Sequence, residues 1–323
     1  MNLSENLIYS MNVVAPIFLL VLLGWLLKRK KIFADAFYSS SEKFVFNIAL
    51  PCMIFLDVSN SKLEFVGKHT SLVIYCSIGM ILAFVIGALI ISTFSKDKAK
   101  TGAMVQGMAR GNFTILGVPL AQNMFGDGGS QLVSILMPAV VLIGNISVVI
   151  MFSLFDSSES KRNFKELVRY IVKSIIKNPL IIAVVLAIPF MIFNNLVMPL
   201  FALRTLTYLS NATMALSLIS LGACITVSSF KGKFSYAAVT AAIRLIFLPT
   251  IMVLIALLFG FSSMELGVIF LLFGVPTAIS SYIMAKEMNS DYELAGQILL
   301  LTTLFGVFTL FLGVFIMKTI GCI

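Results

Sequence analysis

The chain has 323 residues, of which 59% are hydrophobic and only 11% charged, with a mean hydropathy of +1.05. That composition excludes a soluble domain of this size, and the apolar runs of about 20 residues that recur along the chain read as membrane spans. The net charge of +9 would point to nucleic acid in a soluble protein; here its distribution follows membrane topology, so no nucleic-acid partner is expected.

The first apolar run, Ile8–Leu27, is long and is followed by Lys28-Arg29-Lys30-Lys31, the pattern of a true span rather than a cleavable signal peptide. In chain order, spans are expected at 8–28, 38–57, 70–94, 99–125, 130–155, 174–194, 204–227, 235–260, 265–286 and 293–317. The only sizeable loop, polar and basic, separates a first five-span repeat (1–155) from a second (174–323), with a cytoplasmic linker at 156–173. Seventeen of the 23 Lys and Arg fall in the loops after the odd-numbered spans, four on the opposite side and two, Arg110 and Arg244, inside spans. Positive residues stay cytoplasmic, so both termini are expected outside a cytoplasmic membrane.

Five spans per half is an odd number, so the second half enters the membrane inverted. The fold class is therefore an all-α membrane protein of ten helices in two inverted repeats. Local matches run in the same order: Ala15-Pro16 with Asn178-Pro179, Asn47 with Asn211, and GVPLA at 117–121 with GVPTA at 274–278. Proline lacks an N–H and glycine weakens a helix, so Gly117 and Pro119, and Gly274 and Pro276, are expected to break the fourth and ninth spans where they cross. Lipid cannot satisfy the freed backbone groups, which places the breaks against protein or a water-filled cavity. Matched breaks of this kind mark the site of a secondary transporter.

A half-helix N-terminus attracts anions, and polar residues gather near both breaks. Arg110, Asn112 and Thr277 are the candidates there. Asn112 lies about two turns before Pro119, and its amide both donates and accepts; the bland alternative is that it braces backbone. Arg110 either draws anions or pairs with half-helix carbonyls, and Arg244 reads as structural, each at a cost of about 2.5–3.5 kcal/mol on insertion scales. Two kinked but unbroken helices are the plain reading of the prolines. No Asp or Glu lies deep in a span, which removes the paired carboxylates of an ion exchanger. Sodium held by half-helix carbonyls stays open. There is no Walker motif and no hydrolase constellation, so neither ATP-driven pumping nor an enzyme is expected. The four cysteines show no metal-ligand spacing, and no cofactor or metal is expected.

At these residues the chain resembles the auxin efflux carrier family. Asn112-Phe-Thr-Ile-Leu-Gly-Val-Pro119 matches that family's Asn-to-Pro pattern. Ala285-Lys-Glu-Met-Asn289 resembles the segment after its second break, and Asn178-Pro179 the opening of its sixth span. The resemblance implies ten spans in inverted repeats, crossed broken fourth and ninth spans, and one bundle moving against a supporting one in an elevator-like step. It also implies that Asn112 and Asn178 donate hydrogen bonds to a substrate carboxylate. The second break departs from the plant pattern, and because the linker is far shorter than in many plant members, their phosphorylation control is not carried over. Bacterial relatives are assigned to malate, malonate and similar acids. The expected partner is thus a small organic anion, mono- or dicarboxylate or auxin-like, in a lipid bilayer. A coupling ion (sodium or proton), a homodimer and a non-transporting sensor stay open.

Overall fold

The computed structural model describes residues 3–60, 63–155, 169, 176–193, 196, 198–223, 233–287 and 290–323. The linker expected at 156–173 therefore lies outside the described residues, apart from residue 169. Among the described residues the chain is helical throughout, without strands. In order these are α1 (Leu3–Arg29), α2 (Asp35–Phe44), a π-helical turn π1 (Val45–Ala49), α3 (Leu50–Ser59), α4 (Leu63–Lys68), α5 (Thr70–Phe94), α6 (Lys98–Ala109), α7 (Phe113–Phe125) and α8 (Asp127–Leu154). Then come α9 (Pro179–Ile192), α10 (Leu200–Ala223), α11 (Phe234–Ala242), π2 (Ile243–Phe247), α12 (Leu248–Leu258), α13 (Ser263–Gly274), α14 (Ile279–Glu287) and α15 (Tyr292–Ile320).

Six of these segments are long and apolar enough to cross a membrane, among them α1, α5, α10 and α15. Their outward faces carry large exposed apolar side chains such as Leu19, Leu89 and Leu258, which suits contact with lipid. The expected boundaries of the third span, 70–94, coincide with α5 at both ends, and most others shift by a few residues.

Both π turns have the same cause. Pro51 and Pro249 have no N–H for the carbonyl four residues back, and the turn before each widens so that Leu50 N–H bonds Val45 O and Leu248 N–H bonds Ile243 O. Widening of this kind re-aims side chains and recurs at functional sites. Here Phe46 and Arg244 each stand five residues before their proline.

The helices pack as two groups. One comprises α1, α2–π1–α3, α9 and α10; the other holds α5 to α8 and α11 to α15. In the second group, Lys233 reaches Asp291 and Glu293 at 2.9 Å each. Its partial burial works against the charge, but the two carboxylates prevail and raise its pKa. Between the groups, Tyr9 donates to Met124 O (2.9 Å), Asn123 to Val13 O (3.0 Å) and Asn6 to Thr319 Oγ1 (3.3 Å). Ser130 and Ser134 donate to Asp57 Oδ2 at 2.8 and 2.7 Å. All five bonds lie toward the end of the molecule that carries both termini.

Within the first group, α1 and α10 approach backbone to backbone. A Cβ on Gly222 would meet Val21 O, and one on Gly24 would meet the Ile219 backbone. Small residues permit such close helix crossings in membranes. Gly222→Ala and Gly24→Ala are each expected to lower stability by about 1–3 kcal/mol, the usual cost of overpacking. Thermal unfolding of the detergent-solubilised protein checks this, and wild-type melting of both variants would contradict the contact.

Candidate functional site

Two helices are interrupted, and their interruptions meet. Residues 110–112 separate α6 from α7, and residues 275–278 separate α13 from α14. Gly111 and Thr277 pair as an antiparallel bridge: Asn112 N–H donates to Pro276 O at 2.7 Å and Ala278 N–H to Arg110 O at 3.1 Å. Each break thus satisfies backbone groups of the other. Thr277 adds an Oγ1 bond to Gly107 O (2.6 Å), and its own N–H donates to Thr302 Oγ1 (3.2 Å).

The second break is where GVPTA places it, with Pro276 inside it. The first is not. Pro119 lies well inside a continuous α7, and the chain opens seven residues earlier, at Arg110-Gly111-Asn112. The two GVPxA strings therefore occupy different structural positions. α7 tolerates Pro119 as an internal proline, whereas residues 110–112 leave helical geometry to pair with residues 276–278. Nor do Gly117 and Gly274 mark a close backbone approach. The space beside Gly117 is filled by the Phe113 ring, and beside Gly274 lie only ordinary contacts. The tight position is Gly111, where a Cβ would meet the Arg244 guanidinium.

Arg244, fully buried and aimed inward from π2, is the organising side chain. Its Nε donates to Val275 O (2.8 Å), Nη2 to Leu272 O (2.8 Å), and Nη1 to Met108 O and Ala109 O (3.3 Å each). Those carbonyls end α6 and α13, each a terminus of partial negative charge. One guanidinium caps both half-helices, so it is Arg244 that takes the carbonyls considered above for Arg110. The Arg110 Nη1 instead lies 3.2 Å from Met284 Sδ on α14.

The opposite polarity stays open. Among the described residues, the N–H groups of Phe113 and Thr114 at the start of α7 have no protein acceptor. Nδ2 of the nearly fully buried Asn112 also lacks a partner, as do both amide atoms of Gln106 and the Ser281 hydroxyl. Buried polar atoms are nearly always paired, so this cluster fits a bound water or guest. Alongside lies a cavity of ≈ 60 Å³, with Arg110, Gly111 and Thr114 on one side, Val140, Val141 and Gly144 of α8 on another, and Phe46 of π1 facing them. Asn178 does not line it. Its Oδ1 caps α9 by accepting from Leu180 N–H (2.9 Å) and Ile181 N–H (3.4 Å), the ordinary work of an Asn ahead of a first-turn proline.

A family model described as membrane transport protein matches residues 9–314. The chain belongs to this family, that of the auxin efflux carriers. It is 26% identical over 302 residues to an uncharacterized transporter of Methanocaldococcus jannaschii, covering 91% of this chain and 94% of that protein. A second uncharacterized transporter, from Methanothermobacter thermautotrophicus, is 24% identical over 93% of this chain and 96% of its own length. The uncharacterized transporter YfdV of Escherichia coli K12 is 24% identical over 85% and 87% respectively. The protein is a multi-pass membrane transporter.

Replacing Arg244 by Met leaves four buried carbonyls without a donor, each worth on the order of 1–3 kcal/mol. The variant is expected to lose most of its monodisperse yield and to melt far below wild type, with Arg244→Lys, a point charge without the planar fork, in between. Wild-type melting of the Met variant would remove Arg244 from its capping role.

Proposed function

We propose that this transporter carries small organic anions, mono- or dicarboxylates, across the cytoplasmic membrane by alternating access. One observation carries the reading. At the crossing, the carbonyl ends of two half-helices are capped by a resident cation, while among the described residues the first N–H groups of α7 and Asn112 Nδ2 have no protein partner, and Gly111 and Thr114 on either side of them line the cavity. Such an arrangement repels a free cation and accepts a carboxylate. In this reading Asn112 Nδ2 and the first N–H groups of α7 hold the carboxylate, Arg110 adds positive charge, and the Thr277–Pro276 backbone keeps the crossing rigid.

The mechanism reads the helices as a ten-span inverted repeat. Gly111 and Thr277 pair one residue from each half of the chain, and the two helix groups take their members in the same order from each half. The group containing the crossing moves; the group of α1, α3, α9 and α10 supports it. With both termini outside, the five polar bonds between the groups close the external side in this state, and they break when the moving group shifts. A monovalent anion leaving a negative interior gains about 2.3 kcal/mol per 100 mV, so efflux runs without a coupled ion.

Sodium coupling through half-helix carbonyls fits poorly, because Arg244 holds those carbonyls. Proton coupling has one feature in its favour: Asp57, a carboxylate hydrogen-bonded between the two groups by Ser130 and Ser134. A carboxylate at a sliding interface can change protonation as its partners leave.

Purified protein in proteoliposomes is expected to move carboxylates when a potential is imposed, without a sodium requirement. Asn112→Ala should lower that flux by about tenfold, the effect of losing roughly one charge-assisted hydrogen bond. Flux that requires a sodium gradient, or is unchanged by Asn112→Ala, would overturn the reading; flux that follows an imposed pH gradient would select the Asp57 alternative.

A further inference from the structure

This inference rests on the proposed anion site and narrows what enters it. The cavity beside the crossing measures ≈ 60 Å³. On that measure one water needs about 10–15 Å³, so the space suits a short acid of a few carbons and not a two-ring aromatic one. Its charge is lopsided as well. Among the described residues, Arg110 is the one ionisable side chain in the lining, and it shares its end of the cavity with the start of α7 at Thr114. Among the described residues, the other side chains of the wall are apolar: Phe46, Met80, Ala109, Val140, Val141, Leu272 and Phe273. Against these side chains a second carboxylate would lose its water without a donor in return, which is costly.

Phe46 has a distinct place in this wall. Among the described residues it is the one lining residue from the supporting group, and it stands in the widened turn before Pro51. Its ring is partly exposed (41%), so it borders the opening rather than filling a packed core. We propose that the site takes short-chain monocarboxylates, with the charged end at Arg110 and α7, and that Phe46 sets the upper limit on chain length. The ring meets the far end of the guest, and an acid too long for the space pushes the two helix groups apart.

The test is counterflow of radiolabelled butyrate in proteoliposomes, competed by acetate, octanoate, succinate and indole-3-acetate. Wild type is expected to favour acetate and butyrate over succinate and indole-3-acetate by about tenfold or more, the discrimination an apolar pocket achieves. Phe46→Ala is expected to raise the octanoate-to-butyrate ratio by about the same factor. Gly144→Ala supplies a second variant, because a methyl there meets only Met80 Cε, at 3.8 Å; it should shift preference toward acetate. Succinate competing as well as butyrate overturns the charge assignment. An unchanged chain-length cut-off in both variants, with melting temperatures at the wild-type value, overturns the role of Phe46. Either result leaves the wider anion reading standing, whereas exchange of no carboxylate at all removes both.

Discussion

A single guanidinium closing two helix ends is the constraint on which the crossing depends. Each half-helix C-terminus carries roughly half a negative charge, and α6 and α13 bring two of them together in an apolar interior. Arg244 supplies one full positive charge and donors to four carbonyls at that point. Alone, the arginine would be as unfavourable in the bilayer as the uncapped carbonyls. Together they satisfy one another, and Gly111 is required beside them because any larger residue would occupy the guanidinium's space.

With the negative ends neutralised, the polarity of the site is decided by what is left. Among the described residues, the Phe113 and Thr114 N–H groups and Asn112 Nδ2 have no protein partner. The same backbone pairing that joins the two breaks, from Arg110–Asn112 to Pro276–Ala278, fixes these donors without using them. The cavity lies on the boundary of the two helix groups, where the proposed sliding motion would expose it to either side in turn. The polar bonds of Tyr9, Asn123, Asn6 and Asp57 join the two groups near the termini.

Much of the helical layout was legible because hydropathy acts over whole segments. The limits of α5 and the placement of α15 follow from where apolar runs stop. Local motifs were less reliable. GVPLA and GVPTA look alike, yet Pro119 is carried inside a helix while Pro276 stands in a break, since a proline's effect depends on what its neighbours can bond instead. Asn178 read as a substrate donor by resemblance, although Asn-Pro is also the plainest N-cap signal and caps α9 here. Arg244 was legible as a buried arginine but not as the double cap, which needs carbonyls 28 to 136 residues away. A local clue was present in Leu50-Pro51 and Leu248-Pro249: each proline widens the preceding turn and turns Phe46 or Arg244 toward the crossing.

The most direct test is an experimental structure of the purified protein with a short carboxylate and sodium both present at saturating concentration. The anion's oxygens are predicted within hydrogen-bond distance of Asn112 Nδ2 and the Phe113 and Thr114 N–H groups, with Arg244 on the carbonyls of Met108, Ala109, Leu272 and Val275. A sodium ion on those carbonyls with Arg244 turned away, or an anion bound far from the crossing, would contradict the account.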